Sequence, residues 1–270
     1  MVPMKSIIEW RKNSPWVDSR RVEQDLILSR ILMEIYSDPF LKRKLILRGG
    51  ASLYKFFVTP PARYIETIEL VQVEPGAIGP YVYAIRKKLD SWLGQSSWRI
   101  KPGGVMSYYR FRPENSFSQM MQIKINIHTQ DHFSHFDVID VNYVVENSWF
   151  SKKVSIKTFC LEELLGAKLR ALYHRNKGRD LFDLYIITNS FPDLIFDKVI
   201  KSFPRFTNYG QLPILRTDFE VDLLKKLKDP TFEKDIMCLL SQDLRPKYNF
   251  RKSLETVFHN YISRLPTVPP

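Results

Sequence analysis

The sequence predicts an α/β (α+β) fold: a mixed strand-and-helix part over residues 1–190, then an all-helical part over residues 191–270. Three observations predict it. An apolar strand at 45–47 runs into Gly49-Gly50 and a short helix, and a second strand follows at 67–72. Residues 121–128 alternate cleanly, with Met121, Ile123, Ile125 and Ile127 on one side and Gln122, Lys124, Asn126 and His128 on the other. That period of two is the mark of a half-buried strand. After Ser190 the strand patterns stop, and helical text broken by Pro, Gly and Asn takes over.

The elements follow in order. Residues 21–36 place Leu28, Ile31, Leu32 and Ile35 at the spacing of one buried helix face. Pro75, Gly76, Gly79 and Pro80 break the chain before a helix predicted over 81–93. Strands are predicted at 98–101 and 105–112, joined by the hairpin signal Pro102-Gly103-Gly104, then at 138–141 and 154–156. Helices are predicted at 161–174 and 181–189. Thr217 and Glu220 have capping-box spacing ahead of the apolar run Phe219, Leu223, Leu224 and Leu227.

The chain has 270 residues, of which 44% are hydrophobic and 26% charged, enough for a packed core and against disorder. No apolar run approaches the roughly 18 residues that cross a bilayer. The N-terminus lacks a long apolar segment with a cleavage site, so no signal peptide is expected. Cys160 and Cys238 are too few and too far apart for a disulfide framework or a zinc site, and a cytoplasmic protein with reduced thiols is expected. A net charge of +12 points to a polyanion partner, nucleic acid or nucleotide above all.

Four groups of residues carry chemistry. Gly49-Gly50 lets backbone amides approach phosphate oxygens, and Ser52 adds a hydroxyl at the start of the next helix. Thr67 and Glu69 are two apart on a strand and share a face. Two carboxylates so placed can hold Mg2+ ions for attack on a nucleotide phosphate, but only Glu69 is charged, and a polar strand face has the same pattern. Lys168 falls among Leu161, Leu164, Leu165 and Leu172 on one helix face. An ammonium there needs a partner: a nucleotide phosphate, solvent reached by snorkelling, or Asp180 or Asp183. Asp180 also has the position of a helix cap, and Arg170, His174, Arg175, Lys177 and Arg179 make a basic cluster beside it. His128, His132 and His135, with Asp131 and Asp137, have metal-ligand side chains and superficially suggest a metal site, but they follow a strand as a loop, and the geometry of a closed zinc site is not implied. No nucleophile elbow and no Walker A motif occurs.

These residues together resemble the AbiEii toxin family of nucleotidyltransferases. The family's second strand reads R-[FY]-S-E-D-I-D-L, and the eight positions here are Arg63, Tyr64, Ile65, Glu66, Thr67, Ile68, Glu69 and Leu70. A later family strand, close to K-I-E-I-N-T-R-E, corresponds to Lys124 through Asp131, with Asn126 at the acid. The nearest match is the segment LEELLGAKLRALYHRNKGRDLFDLY at 161–185. The resemblance covers nearly the whole chain. It implies a minimal nucleotidyltransferase fold with a mixed twisted sheet and a C-terminal helical bundle.

It also implies roles. Metal positions fall on Thr67, Glu69 and Asn126, nucleotide contacts on Gly49, Gly50, Ser52 and Lys168, and catalytic roles on Glu69, Lys168 and Asp180. Arg170, Arg175, Lys177 and Arg179 are the implied RNA contacts. The implied ligands are NTP with Mg2+, the implied acceptor an RNA such as tRNA or a protein hydroxyl, and the implied partner a cognate winged-helix antitoxin. One metal carboxylate of three remains, so Mg2+ binding is expected to be weak or absent. Two readings follow: an NMP-transferring enzyme, or a pseudoenzyme that binds nucleotide or RNA without turnover. A nuclease using Glu69 and Lys124 is a third, with a single acid to work with.

Overall fold

The computed structural model describes residues 2–115, 119–130, 132, 134–203 and 214–268. The chain divides into two compact units, Met1–Phe133 with Val138–Phe159, and Ser134–Asp137 with Cys160–Pro270. This division comes earlier than the change of sequence texture near residue 190. The two helices of the 161–185 segment pack with the helices that follow them, so the break in packing precedes the break in pattern.

The first unit opens with α1 (Met4–Trp10), α2 (Ser19–Tyr36) and α3 (Pro39–Lys44). Strand β1 (Leu45–Arg48) then runs into α4 (Gly49–Ser52), which continues as a π-helical turn over Leu53–Phe57. After β2 (Thr67–Gln72) and α5 (Gly79–Leu93) come β3 (Ser97–Lys101), β4 (Gly104–Phe111), β5 (Met121–His128), β6 (Val138–Val145) and β7 (Lys152–Phe159). They form one seven-stranded sheet in the order β3-β4-β5-β2-β1-β7-β6. The sheet is mixed, as expected: β2 runs parallel to β5 and β1 to β7, and the other pairs are antiparallel.

Helix α2 starts at Asp18, whose carboxylate accepts from the Arg20 amide at 3.0 Å, an N-cap. Its sequence suggests one buried face, but most of its length is buried, Glu23, Gln24, Asp25 and Ser29 included. The reason is its place in the unit: it packs against β7, α1, α3 and α5 at once. Its polar residues are therefore bonded inside the protein. Asp25 accepts from the Trp10 indole at 2.9 Å and from the Lys55 ammonium at 2.7 Å.

The second unit holds α6 (Leu161–His174), α7 (Gly178–Ser190), α8 (Phe196–Ser202), α9 (Arg216–Leu227), α10 (Pro230–Met237) and α11 (Phe250–Asn260). Helix α6 packs on α7 and α8, and α7 packs on α10 and α11. Helix α9 begins one residue before Thr217, and its N-terminal partner is Asp218, which accepts from the Leu215 amide at 3.0 Å. Thr217 and Glu220 do not form the expected box; Glu220 is paired with Arg216 instead. Phe219 and Leu223 are buried, but Leu224 and Leu227 are exposed.

Candidate nucleotide site

In the first unit the turn between β1 and α4 is built on Gly49, whose φ of +75° is a left-handed backbone. A Cβ there would lie 2.4 Å from Oε2 of Glu69, and one on Gly50 would lie 2.7 Å from Nη2 of Arg63. Both glycines are thus needed for close approach, and what approaches is a carboxylate and a guanidinium. Arg63 is buried, donates to the Tyr64 carbonyl at 3.1 Å and stacks over Tyr54 at 5.1 Å. Arg48, also buried, stands opposite Glu69 in the β1–β2 register. Sequence reasoning did not single out Arg48 or Arg63. Their signal was a cation at the end of an apolar strand, beside the glycines, and another at the start of the quoted second-strand motif.

Ser52 is fully buried, and its hydroxyl is 2.7 Å from that of Thr158 on β7. Thr158 in turn donates to the Leu47 carbonyl at 2.8 Å. The serine expected to reach a phosphate thus ties the helix start to the sheet.

Thr67, Glu69 and Asn126 share one face of the sheet. Glu69 is the direct neighbour of Asn126 in the parallel β2–β5 register, and Thr67 is the neighbour of Lys124. The strands therefore assemble the three positions as the period-two reading requires. The Asn126 side chain is buried, with Nδ2 2.6 Å from Nε2 of His128 and Oδ1 without a hydrogen-bond partner. The set offers one carboxylate, one hydroxyl and one amide oxygen. Among the described residues no three His, Cys, Asp or Glu side chains gather in a way that could hold a metal ion. Mg2+ in phosphoryl-transfer sites relies on charged oxygen ligands, so this donor set does not fit a metal pair. The histidines do not gather with one another among the described residues. His128 faces Asn126, the His132 Nδ1 lies 3.0 Å from the Gln72 carbonyl oxygen, and Asp131 lies outside the described residues.

In the second unit Lys168 is buried on α6, and its ammonium lies 3.2 Å from Asp180 and 2.7 Å from Asp183 on α7. Both carboxylates are wholly buried. Asp180 also takes a two-pronged contact from Arg175, at 2.7 Å to each oxygen. The partner left open by the leucine stripe is therefore a pair of aspartates. Asp180 does not cap α7 with its side chain. Two cations and two anions make the cluster neutral.

The basic cluster is also largely paired. Lys177 and Arg179 both reach Asp235, at 3.4 and 3.2 Å, and Arg170 is half-buried on α6. Lys226, which the sequence did not mark, is buried at the end of α6. Its ammonium donates to the carbonyls of Leu172 and Tyr173 and pairs with Asp222, and burial lowers its pKa. Burial, then Arg170 and Lys226, lower the pKa of His174.

The family model for the nucleotidyl transferase AbiEii toxin of type IV toxin–antitoxin systems matches residues 30–256. The chain belongs to the AbiEii family. No curated protein sequence matches it. Solved structures share the fold, among them two described as nucleotidyltransferases. One is a protein of H. pylori assigned as a nucleotidyltransferase, with TM-score 0.55 and 14% identity over 90% of this chain and 94% of that one. The other is MenT4, a nucleotidyltransferase toxin of Mycobacterium tuberculosis H37Rv, with TM-score 0.53 and 11% identity over 93% and 96%. Among the described residues of this AbiEii protein no helix is long and apolar enough to cross a membrane.

Proposed function

We propose that this AbiEii protein binds a nucleoside triphosphate without metal-dependent nucleotidyl transfer, as a pseudoenzyme of its family. One observation carries the reading. On the sheet face where the resemblance puts three carboxylates, Glu69 alone is an acid, and it is pressed against Gly49. Positive charge beside the glycine turn comes from Arg48 and Arg63, so phosphate oxygens would meet guanidinium groups and turn amides. RNA, tRNA included, and a cognate winged-helix antitoxin are the proposed macromolecular partners. The first unit holds 23 of the 41 Lys and Arg and 14 of the 29 Asp and Glu, a net +9 of the chain's +12. We assign the attraction of RNA to this field more than to Arg170, Arg175, Lys177 and Arg179, three of which are paired with acids.

The second reading is NMP transfer to an RNA or protein hydroxyl, with Glu69, Lys168 and Asp180 as its active residues. The retained Lys168–Asp180 pair favours it. Calorimetry with ATP and CTP, with Mg2+ or with chelator, separates the two when combined with a radiolabel-transfer assay on RNA. The pseudoenzyme reading expects equal affinity in both conditions and no transferred label. A gain of about tenfold with Mg2+, or label transfer that Glu69→Gln abolishes, overturns it.

A further inference from the structure

At the free end of the sheet, β3 has β4 on one side and no strand on the other among the described residues. In the β3–β4 register Trp98 stands opposite Ser107 and Ile100 opposite Val105. Cross-strand partners point to the same face. Val105 and Ser107 are buried, and α5 packs against β4. That cover stops short of β3. Trp98 is 50% exposed and Ile100 67%, and on the α5 side Tyr83 is 70% exposed. Between them runs an open apolar groove of about 760 Å3 with Ile78, Val82 and Val105 in its lining.

We propose that this groove and the open edge of β3 take an extended, acidic segment of a partner protein, added to the sheet as an eighth strand. The backbone edge supplies hydrogen bonds along about five residues, and alternate side chains of the segment enter the groove. Charge selects the occupant. Across residues 86–101 five Lys and Arg stand against one acid, Asp90, and of the five Lys88 is paired with Asp38 at 3.7 Å. Asp90 is already held by Arg86 at 3.0 Å and by the Tyr109 hydroxyl at 2.9 Å. Lys87 stands at the rim, and Arg99 and Lys101 alternate with Trp98 and Ile100 along the edge. Charged residues on an edge discourage indiscriminate strand pairing. Here they also repel a second copy, because pairing β3 with its own image would bring both sets of cations together. RNA fits less well, since Ile78, Val82, Ile100 and Val105 line the groove beside the aromatic Tyr83 and Trp98, and its Arg86 is held by Asp90.

The test uses the full chain and a labelled heptapeptide of alternating Glu and Val/Ile, followed by fluorescence anisotropy. Controls are the same peptide with Lys for Glu, and single-stranded oligouridylate. Ile100→Asp and Lys87→Glu change exposed side chains, and melting curves verify that both variants fold. The expected result is saturable binding of the acidic peptide, weakened about tenfold by each variant, with no binding of the lysine peptide. Absence of saturable acidic-peptide binding, or equal binding by Ile100→Asp, overturns the proposal. So does oligouridylate that binds more tightly than the peptide and loses affinity in Ile100→Asp, which marks a polyanion groove. A concentration-dependent dimer broken by Ile100→Asp overturns it in favour of a second copy.

Discussion

Lys168 sits among leucines, and the sequence states its need for a counter-charge without saying who meets it. Asp180 and Asp183 do, and both lie twelve or more positions away on another helix. Which partner wins is decided by the α6–α7 packing, which no spacing rule along one helix contains. Lys168→Met leaves two buried carboxylates with Arg175 as the remaining cation of the cluster, and should cost about 3–5 kcal/mol of unfolding free energy in a urea titration. Adding Asp183→Asn should recover part of that loss. Unchanged stability together with lost nucleotide binding would show that the lysine is a ligand residue and not a structural one. Gly49 was legible as a glycine turn, but not the reason for it. Gly49→Ala meets a left-handed φ of +75° and the Glu69 carboxylate together. The backbone part alone should cost about 1–2 kcal/mol. Glu69→Ala in the same chain should relieve the clash and leave the backbone cost, a split that a double-mutant cycle measures. If Gly49→Ala proves as stable as the parent, the turn does not have the conformation described.

At the scale of elements the periodicities did most of the work. Strand β5 and helix α6 occupy the predicted residues because each carries a clear apolar period, although Asn126 on the polar side of β5 is buried as well and α6 packs on both α7 and α8. The strands at 138–145 and 152–159 are longer than their apolar centres because they pair with each other along their whole length. The α6–α8 crossing depends on Gly166, where a Cβ would lie 1.9 Å from the Ser202 hydroxyl oxygen and 3.2 Å from the Phe203 backbone nitrogen. Gly166→Ala gains helix propensity of about 1 kcal/mol. It should still lose about 1–3 kcal/mol net through overpacking, read as a lower melting temperature that Ser202→Ala partly restores. A variant that melts higher than the parent would mean that the two helices do not cross this closely. The last turn of α6 also carries a pH dependence. The pKa of His174 is lowered from 6.5, so the folded state binds fewer protons than the unfolded one. Its contribution is fully present above about pH 6.5 and is lost as pH falls through the folded value. Melting curves below that pH should fall less steeply for His174→Gln. Identical slopes would remove His174 from the acid side of the stability profile. The effect is expected to be small, because the residue is only partly buried and solvent screens it.

Over the whole molecule the positive charge is concentrated in the sheet unit, and Glu69, the one carboxylate at the three positions the resemblance assigns to metal, lies there too. A field of that sign attracts phosphates with or without magnesium, so the proposed nucleotide binding does not depend on metal ligands. Rebuilding the acids tests the argument directly. Thr67→Asp, Glu69→Asp and Asn126→Glu together add two negative charges to one sheet face. Thr67 and Glu69 are half-buried and should accept the change, but Asn126 is buried against His128, so the new glutamate must give up water. Without metal the variant should therefore be less stable than the parent. With metal the three carboxylates gain the counter-charge they lack, and a ligand that binds only the folded state raises its stability by RT ln(1 + [L]/Kd). The variant's melting temperature should climb with Mg2+ concentration while the parent's stays flat. A parent that climbs equally would show that Glu69 suffices to hold the ion, and the pseudoenzyme reading would fall. A folded variant that does not respond would mean that Thr67, Glu69 and Asn126, adjacent in the sheet, do not converge on one ion.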